Sequence, residues 1–145
     1  MGLEDIRIAK KNAVERNLTL CVVKDNHVLF ESCSHGISGF LQAIEELGSQ
    51  FERASVADKV VGKAVALLCL YTRVEAVYAN VVSRRAKEIL ERNGVQTEWG
   101  EQVENILDNC TPAVCPFERL AGQIEDPAEA YKKLKALRDS LKQSG

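Results

Sequence analysis

The apolar segment from Ser55 to Thr72 predicts a buried central helix. Apolar side chains at positions 57, 60, 61, 64 and 68 recur at helical spacing, and residues 66–70 make the later turns apolar on every side. A helix of this kind is surrounded by other elements. Ser55 and Asp58 have the spacing of a capping box, which predicts that the helix begins next to Val56.

The flanking pattern predicts alternating helices and strands. The expected elements are a helix over Leu3–Arg16, a hairpin of Leu18–Lys24 and His27–Ser32, a helix from Gly39 or Phe40 to Leu47, a short strand within Arg73–Asn80, a helix capped by Ser83 that ends at Asn93, and a strand over Val95–Trp99. The last three form a βαβ unit with parallel strands and a right-handed crossover. The pattern therefore predicts an α/β protein with a mixed sheet.

A separate helix is predicted at the end of the chain. Asp126 and Pro127 form a helix start, and one apolar stripe continues to Gln143. We therefore divide the chain into a main domain over residues 1–125 and a terminal helix over residues 126–145, which packs on that domain or on a partner.

Composition excludes two classes of function. The 145 residues are 28% charged and 46% hydrophobic, with a net charge of -2, which argues against general binding to nucleic acid or to anionic membranes. No stretch reaches the length of a membrane span. Five cysteines without paired spacing, and a charged start without a signal-peptide core, predict a cytoplasmic protein with reduced thiols.

The start of the predicted central helix is a candidate binding site for a small anion. There Lys59, Gly62 and Lys63 would share one side of the helix, beside Asp58 at its positive end, where Asp58 would act as cap or base. Ligands of open sheets bind beyond the carboxyl ends of strands, which brings Arg84 into the same neighbourhood. The alternative is that the lysines only cover apolar surface and that Gly62 serves helix packing.

A second candidate is a reactive thiol at Cys115. Pro116 fits the first position of a helix, with Cys115 as its cap and Glu118 in its first turn. A helix start lowers the pKa of a cysteine, as a nucleophilic or redox-sensing thiol requires. Cys33 and His35 would assist it if they converge in space. The alternative is a structural turn that holds a buried thiol.

Three segments together resemble a prokaryotic family catalogued as domain of unknown function 1893. They are Asp58 to Ala64, the strand Val77-Tyr78-Ala79 with the helix after Ser83, and Cys115-Pro116-Phe117-Glu118. The resemblance covers Leu18 to Glu118 and leaves the terminal helix outside. It implies a cytidine-deaminase-like fold, a three-layer α/β/α sandwich, but no particular reaction.

The resemblance does not imply deaminase chemistry. Zinc deaminases open two core helices with a His-x-Glu or Cys-x-Glu motif and a Pro-Cys-x-x-Cys motif. The helix starts that we match to them carry Ala57-Asp58-Lys59 and Ser83-Arg84-Arg85-Ala86. We therefore expect no zinc and no other cofactor.

Three functions remain open. The first is a pocket for a small anionic or nucleotide-like ligand, bound by Lys59, Gly62, Lys63, Arg84 and Glu118. The second is a thiol enzyme or redox sensor that depends on Cys115. The third is a non-catalytic interaction module, and a homo-oligomer is compatible with all three.

Overall fold

The computed structural model describes residues 2–34, 37–105 and 116–144. Six helices and five strands lie in these ranges: α1 (Gly2–Glu15), β1 (Leu20–Lys24), β2 (His27–Ser32), α2 (Ser38–Leu47), β3 (Ser55–Val61), α3 (Lys63–Thr72), β4 (Ala76–Ser83), α4 (Arg84–Arg92), β5 (Gln96–Val103), α5 (Pro116–Ala121) and α6 (Pro127–Ser144). A short 3₁₀ turn over Gly48–Phe51 follows α2. None of the described helices has the length and apolar character needed to cross a membrane.

The five strands form one mixed sheet in the order β2-β1-β3-β4-β5. Strand β1 is antiparallel to β2 and β3, whereas β3, β4 and β5 are parallel. The register places Leu20, Asp58, Ala79 and Trp99 in one row across β1, β3, β4 and β5. The predicted hairpin, βαβ unit and mixed sheet are thus confirmed.

Helices cover both faces of the sheet. Helix α1 packs on β1, β3 and β4, where Ile6 and Ala9 meet Ala57 and Tyr78. The crossovers β3-α3-β4 and β4-α4-β5 advance in the same direction, so their right-handedness puts α3 and α4 together on the other face. There they share the larger hydrophobic core with α2, α5 and α6. This is the three-layer α/β/α sandwich that the resemblance implied.

The prediction of one helix from Ser55 to Thr72 was wrong. Residues 55–61 form the central strand β3, and the helix begins only at Lys63. Asp58 and Ser55 are therefore strand residues and not a capping box. The apolar pattern misled because a short strand that is covered on both faces has the same continuous apolar run as a buried helix. Valine at positions 56, 60 and 61 favours the strand.

Helix ends and turns were predicted more accurately. The Ser83 hydroxyl accepts a hydrogen bond from the Ala86 amide at 3.1 Å, and Asp126 accepts one from the Glu129 amide at 2.9 Å, so both predicted caps are present. Strand β4 extends to Ser83 and β5 to Val103, further than the sequence indicated.

The terminal helix α6 packs on α3, α2 and α5. Its Ala130 and Leu134 are fully buried in the larger core. Arg138 is 7% exposed and forms two hydrogen bonds, of 3.0 and 2.9 Å, with the Glu45 carboxylate on α2. The burial and this bidentate pair hold α6 against the neighbouring helices α3 and α2.

A buried carboxylate joins α1 to the β1–β2 hairpin. Asp25 and Asn26 have φ of 51° and 67°, the left-handed pair of a two-residue hairpin turn. Their amides donate hydrogen bonds of 3.1 and 2.9 Å to Asp5, which is 5% exposed. Asp5 thus satisfies turn amides and connects two layers.

We expect Asp5→Ala to lower the free energy of unfolding by about 2 kcal/mol, because it removes two hydrogen bonds to a charged acceptor. Glu4→Ala is the matched control, since Glu4 is exposed in the same helical turn. Urea denaturation of both variants measures the difference. If Asp5→Ala and Glu4→Ala lowered the free energy of unfolding equally, the loss would reflect the negative charge at the helix start and not the hydrogen bonds to the turn.

Candidate functional site

The carboxyl ends of β3, β4 and β5 meet at one edge of the sheet, and α3 and α4 begin there. Gly62 joins β3 directly to α3, and Ser83 ends β4 and caps α4. Both helix starts therefore follow neighbouring parallel strands. This is the edge at which open α/β sheets bind ligands.

At the start of α3 two open backbone amides hold one carboxylate. Glu118 accepts hydrogen bonds from the amides of Lys63 at 2.8 Å and Ala64 at 2.6 Å. The first amides of a helix have no partner within the helix, and the positive end of its dipole favours an anion. Glu118 belongs to α5, so it caps α3 across more than 50 residues of sequence.

Gly62 makes room for this carboxylate. A Cβ atom at residue 62 would lie 2.3 Å from Cδ and Oε1 of Glu118, far inside van der Waals contact. The backbone of Gly62 is extended, with φ -104° and ψ -170°, a conformation that other residues adopt readily. The glycine is therefore required for space and not for its dihedral angles.

A buried ammonium lies beside the same helix start. Lys63 is 3% exposed, and its Nζ lies 3.1 Å from Oε1 of Glu125 and 3.4 Å from the carbonyl oxygen of Gly122. Glu125 itself is largely exposed. Gly62 and the backbone amides of Lys63 and Ala64 form what we call the α3 anion site, which in this structure holds the chain's own Glu118, whereas the Lys63 ammonium is paired with Glu125.

Sequence reasoning placed some of the candidate residues correctly and others wrongly. Lys59 lies in β3 and is exposed, so it does not share a helix face with Gly62 and Lys63 as predicted. Arg84 begins α4, as predicted, and pairs with Glu104 at 3.4 Å. Glu118 lies in the first turn of α5, but its carboxylate caps α3.

The candidate thiol site cannot be built from the described residues. Cys115 and His35 both fall outside them, whereas Cys33 is described and exposed. The predicted reactivity of Cys115 remains a prediction.

Asp58 is an acid with an unusual environment. It faces the larger core, in the row with Leu20 and Ala79, and burial raises its pKa to about 7 although the amides of Val60 and Lys59 donate to it. Burial, and then the nearby Asp58 charge, raise the pKa of the Cys69 thiol far above its ordinary value. Near neutral pH the Asp58 carboxyl group therefore exists in both its protonated and its ionised form.

The deaminase motifs have to be compared with different residues from those chosen by sequence. Because residues 57–59 lie in a strand, the helix starts that follow β2 and β3 are Ile37-Ser38-Gly39 and Gly62-Lys63-Ala64. Neither triplet contains histidine or cysteine, and His35, two residues before the first triplet, lies outside the described residues. In the described ranges no three histidine, cysteine, aspartate or glutamate side chains are grouped so that they could hold a metal ion.

Gly122 and Glu125 were missed, and no local pattern could have found them. They meet Lys63 from about 60 positions away, through the packing of α5 on α3. The available hint was Gly62 itself, since a glycine beside an apolar helix indicates a close approach.

We expect Gly62→Ala to lower the free energy of unfolding by about 2 kcal/mol, because the new methyl group expels the Glu118 carboxylate. In a Glu118→Ala background the same change should cost nothing, since the space is then empty. Chemical denaturation of both single variants and the double variant gives the coupling energy between residues 62 and 118.

Gly122→Ala is the control, because a Cβ there would meet its neighbours at ordinary distances of 3.4 and 3.5 Å. Additive losses at residues 62 and 118 would contradict the steric account.

We expect Asp58→Asn to stabilise the protein at pH 8 but not at pH 4. The native pKa of about 7 exceeds the ordinary value of 3.8, so the native state keeps a proton that the unfolded state releases between these values. Stability therefore falls as pH rises from about 4 to 7, by up to about 4 kcal/mol, and asparagine abolishes this loss. Urea denaturation across pH measures it, with Glu101→Gln on the exposed strand β5 as control. Parallel pH curves for wild type and Asp58→Asn would contradict the raised pKa.

Comparison with solved structures supports the fold. A crystal structure of a DUF1893 family protein, TM1506 from Thermotoga maritima, superposes with a TM-score of 0.83 at 26% identity, covering 92% of this chain and 89% of that one. RibD from Acinetobacter baumannii superposes with a TM-score of 0.50 at 17% identity, covering 83% of this chain but only 38% of RibD. The second likeness concerns the fold alone and agrees with a cytidine-deaminase-like arrangement.

Comparison with protein families identifies the chain more directly. No curated protein matches the sequence significantly. The model of the family described as domain of unknown function (DUF1893) matches residues 8–137, a span that includes much of α6 and thus exceeds the range of the predicted resemblance. The chain belongs to the DUF1893 family.

Proposed function

We propose that this protein binds a small anionic, nucleotide-like ligand at the edge where α3 and α4 begin. The observation that carries the proposal is the α3 anion site, in which the amides of Lys63 and Ala64 hold one carboxylate against Gly62. Helix starts of this kind bind phosphate and carboxylate groups with the same donors.

Ligand binding requires that Glu118 leave the site. Two anions cannot share one pair of amides, so the ligand and Glu118 compete. The carboxylate is carried by α5, a helix of six residues that contacts α3 and α6. A short element with few neighbours is displaced at lower cost than a core helix. Glu118 then keeps the amides paired when no ligand is present.

Arg84 is suited to a second negative charge on the ligand. It begins the helix that follows the neighbouring parallel strand, and such strands lie about 4.8 Å apart. Its ion pair with Glu104 is largely exposed on both sides. Exposed pairs contribute about 0–1 kcal/mol, so Arg84 can exchange Glu104 for a phosphate at little cost.

Asp58 is too distant to act on a group bound at the α3 anion site. It precedes Gly62 by four strand residues, or about 13 Å. We therefore assign binding to the α3 anion site and no proton transfer to Asp58 within it.

The test measures affinity for inorganic phosphate and for nucleoside monophosphates by calorimetry. We expect Glu118→Gln to bind phosphate about tenfold more tightly than wild type, because the competing charge is lost while the shape is kept. Arg84→Gln should bind the nucleotides several-fold more weakly. Arg92→Gln, in the last turn of the same helix, is the matched control and should be unchanged.

Two results would contradict the proposal. If neither wild type nor Glu118→Gln bound any of these anions at about 1 mM, the helix start would be a structural contact only. If phosphate bound but Glu118→Gln gave no gain, the anion would lie elsewhere. If inorganic phosphate bound more tightly than the nucleoside monophosphates, the ligand would be a small anion but not a nucleotide-like one.

A further inference from the structure

A second cleft lies on the opposite face of the sheet from the α3 anion site. It has a volume of about 180 Å³ and is formed by the end of α1 together with Lys59, Tyr78 and Asn80. We propose that this cleft is a separate binding site for one small oxyanion group, a phosphate or a carboxylate, recognised by Lys59 and Asn80.

The sheet register determines which face these side chains occupy. Ala57 pairs with Tyr78, so Lys59 and Asn80, two residues further along, project toward the same α1 side. Tyr78 and Ala57 pack in the smaller hydrophobic cluster under α1. The cleft therefore opens at the carboxyl edge of β3 and β4, behind the sheet as seen from α3.

The charges around the cleft favour an anion. Lys59 is exposed at its rim, and Nζ of Lys10 lies 4.7 Å from the centre of the Tyr78 ring. Asp58 contributes to the wall, but its side chain faces α3, where its charge acts on Cys69. Glu98, opposite Tyr78 on β5, is the carboxylate next in register. Lys59 therefore lies at the rim and Lys10 beside the Tyr78 ring, while the Asp58 carboxylate faces α3 and Glu98 lies one strand away.

A hydrogen bond orients the amide of Asn80. The Tyr78 hydroxyl donates to Oδ1 of Asn80 at 3.1 Å, which leaves the Nδ2 hydrogens directed away as donors. Gly100 keeps this arrangement open, because a Cβ there would lie 3.0 Å from the Asn80 carbonyl oxygen and 3.5 Å from the Tyr78 hydroxyl.

Helix α1 does not oppose the anion strongly. Its carboxyl end reaches the cleft, but the carbonyl oxygens of Asn12, Ala13 and Val14 already accept hydrogen bonds from the amides of residues 16, 18 and 17.

The size of the cleft limits the size of the ligand. Typical pockets for whole metabolites exceed about 300 Å³, so this one admits an oxyanion group and not a nucleotide.

The experiment is an amide chemical-shift titration of the full chain, run separately with inorganic phosphate and with acetate. We expect saturable shifts at Asn17, Lys59 and Asn80. Lys59→Gln should weaken binding about tenfold, because a charged hydrogen-bond donor is lost. Lys11→Gln removes the same charge from an exposed position of α1 outside the cleft and should change affinity less than about twofold.

The titration also separates this site from the proposed function. Shifts confined to Lys63 and Ala64 would overturn the second site while supporting the first. Equal weakening by Lys59→Gln and Lys11→Gln would show nonspecific attraction and overturn it too, as would no saturable shift with either ion. Saturable shifts with only one of the two ions would support the site and show whether it binds a phosphate or a carboxylate.

Discussion

Burial of the first half of β3 on both faces is the constraint on which the rest of the structure depends. The strand pairs antiparallel with β1 and parallel with β4, so it is where the hairpin joins the βαβ units. It ends at Val61, and Gly62 then leads directly into α3. One face packs under α1 and the other under the larger core. Because adjacent strand residues point to opposite faces, Lys59 and Asp58 are assigned to different layers by register alone.

The same burial explains what the sequence could predict. A helix with one solvent-exposed face, such as α4, shows a period that identifies it. The hairpin follows from its Asp25-Asn26 turn, and the caps at Ser83 and Asp126 follow from local chemistry. β3 has no solvent-exposed face over residues 55–57, and its apolar run merges with that of α3 across Gly62. Periodicity then carries no information, and only β-branched content favours a strand.

The α3 anion site was predictable in place but not in composition. The sequence predicted Gly62 and Lys63 as site residues, though within one helix, whereas Glu118 and Glu125 reach the start of α3 through the packing of the chain around α5. Such contacts depend on how helices pack and leave no local spacing. Predicting one helix over Ser55–Thr72 also moved the helix start seven residues too early, to Val56 instead of Lys63. Asp58 and Lys59 were included for that reason.

A shared fold need not retain shared chemistry, and the start of α3 shows physically why. Zinc deaminases open core helices with thiolate or imidazole ligands, whereas α3 opens with a glycine, a buried lysine and two amides that donate to Glu118. The open amides at the positive end of the α3 dipole favour an anion, and the buried Lys63 ammonium is already paired with Glu125. Glu118 satisfies that preference from within the chain. The fold keeps the helix start at the edge of the sheet, and the residues there determine the sign of the charge that it binds.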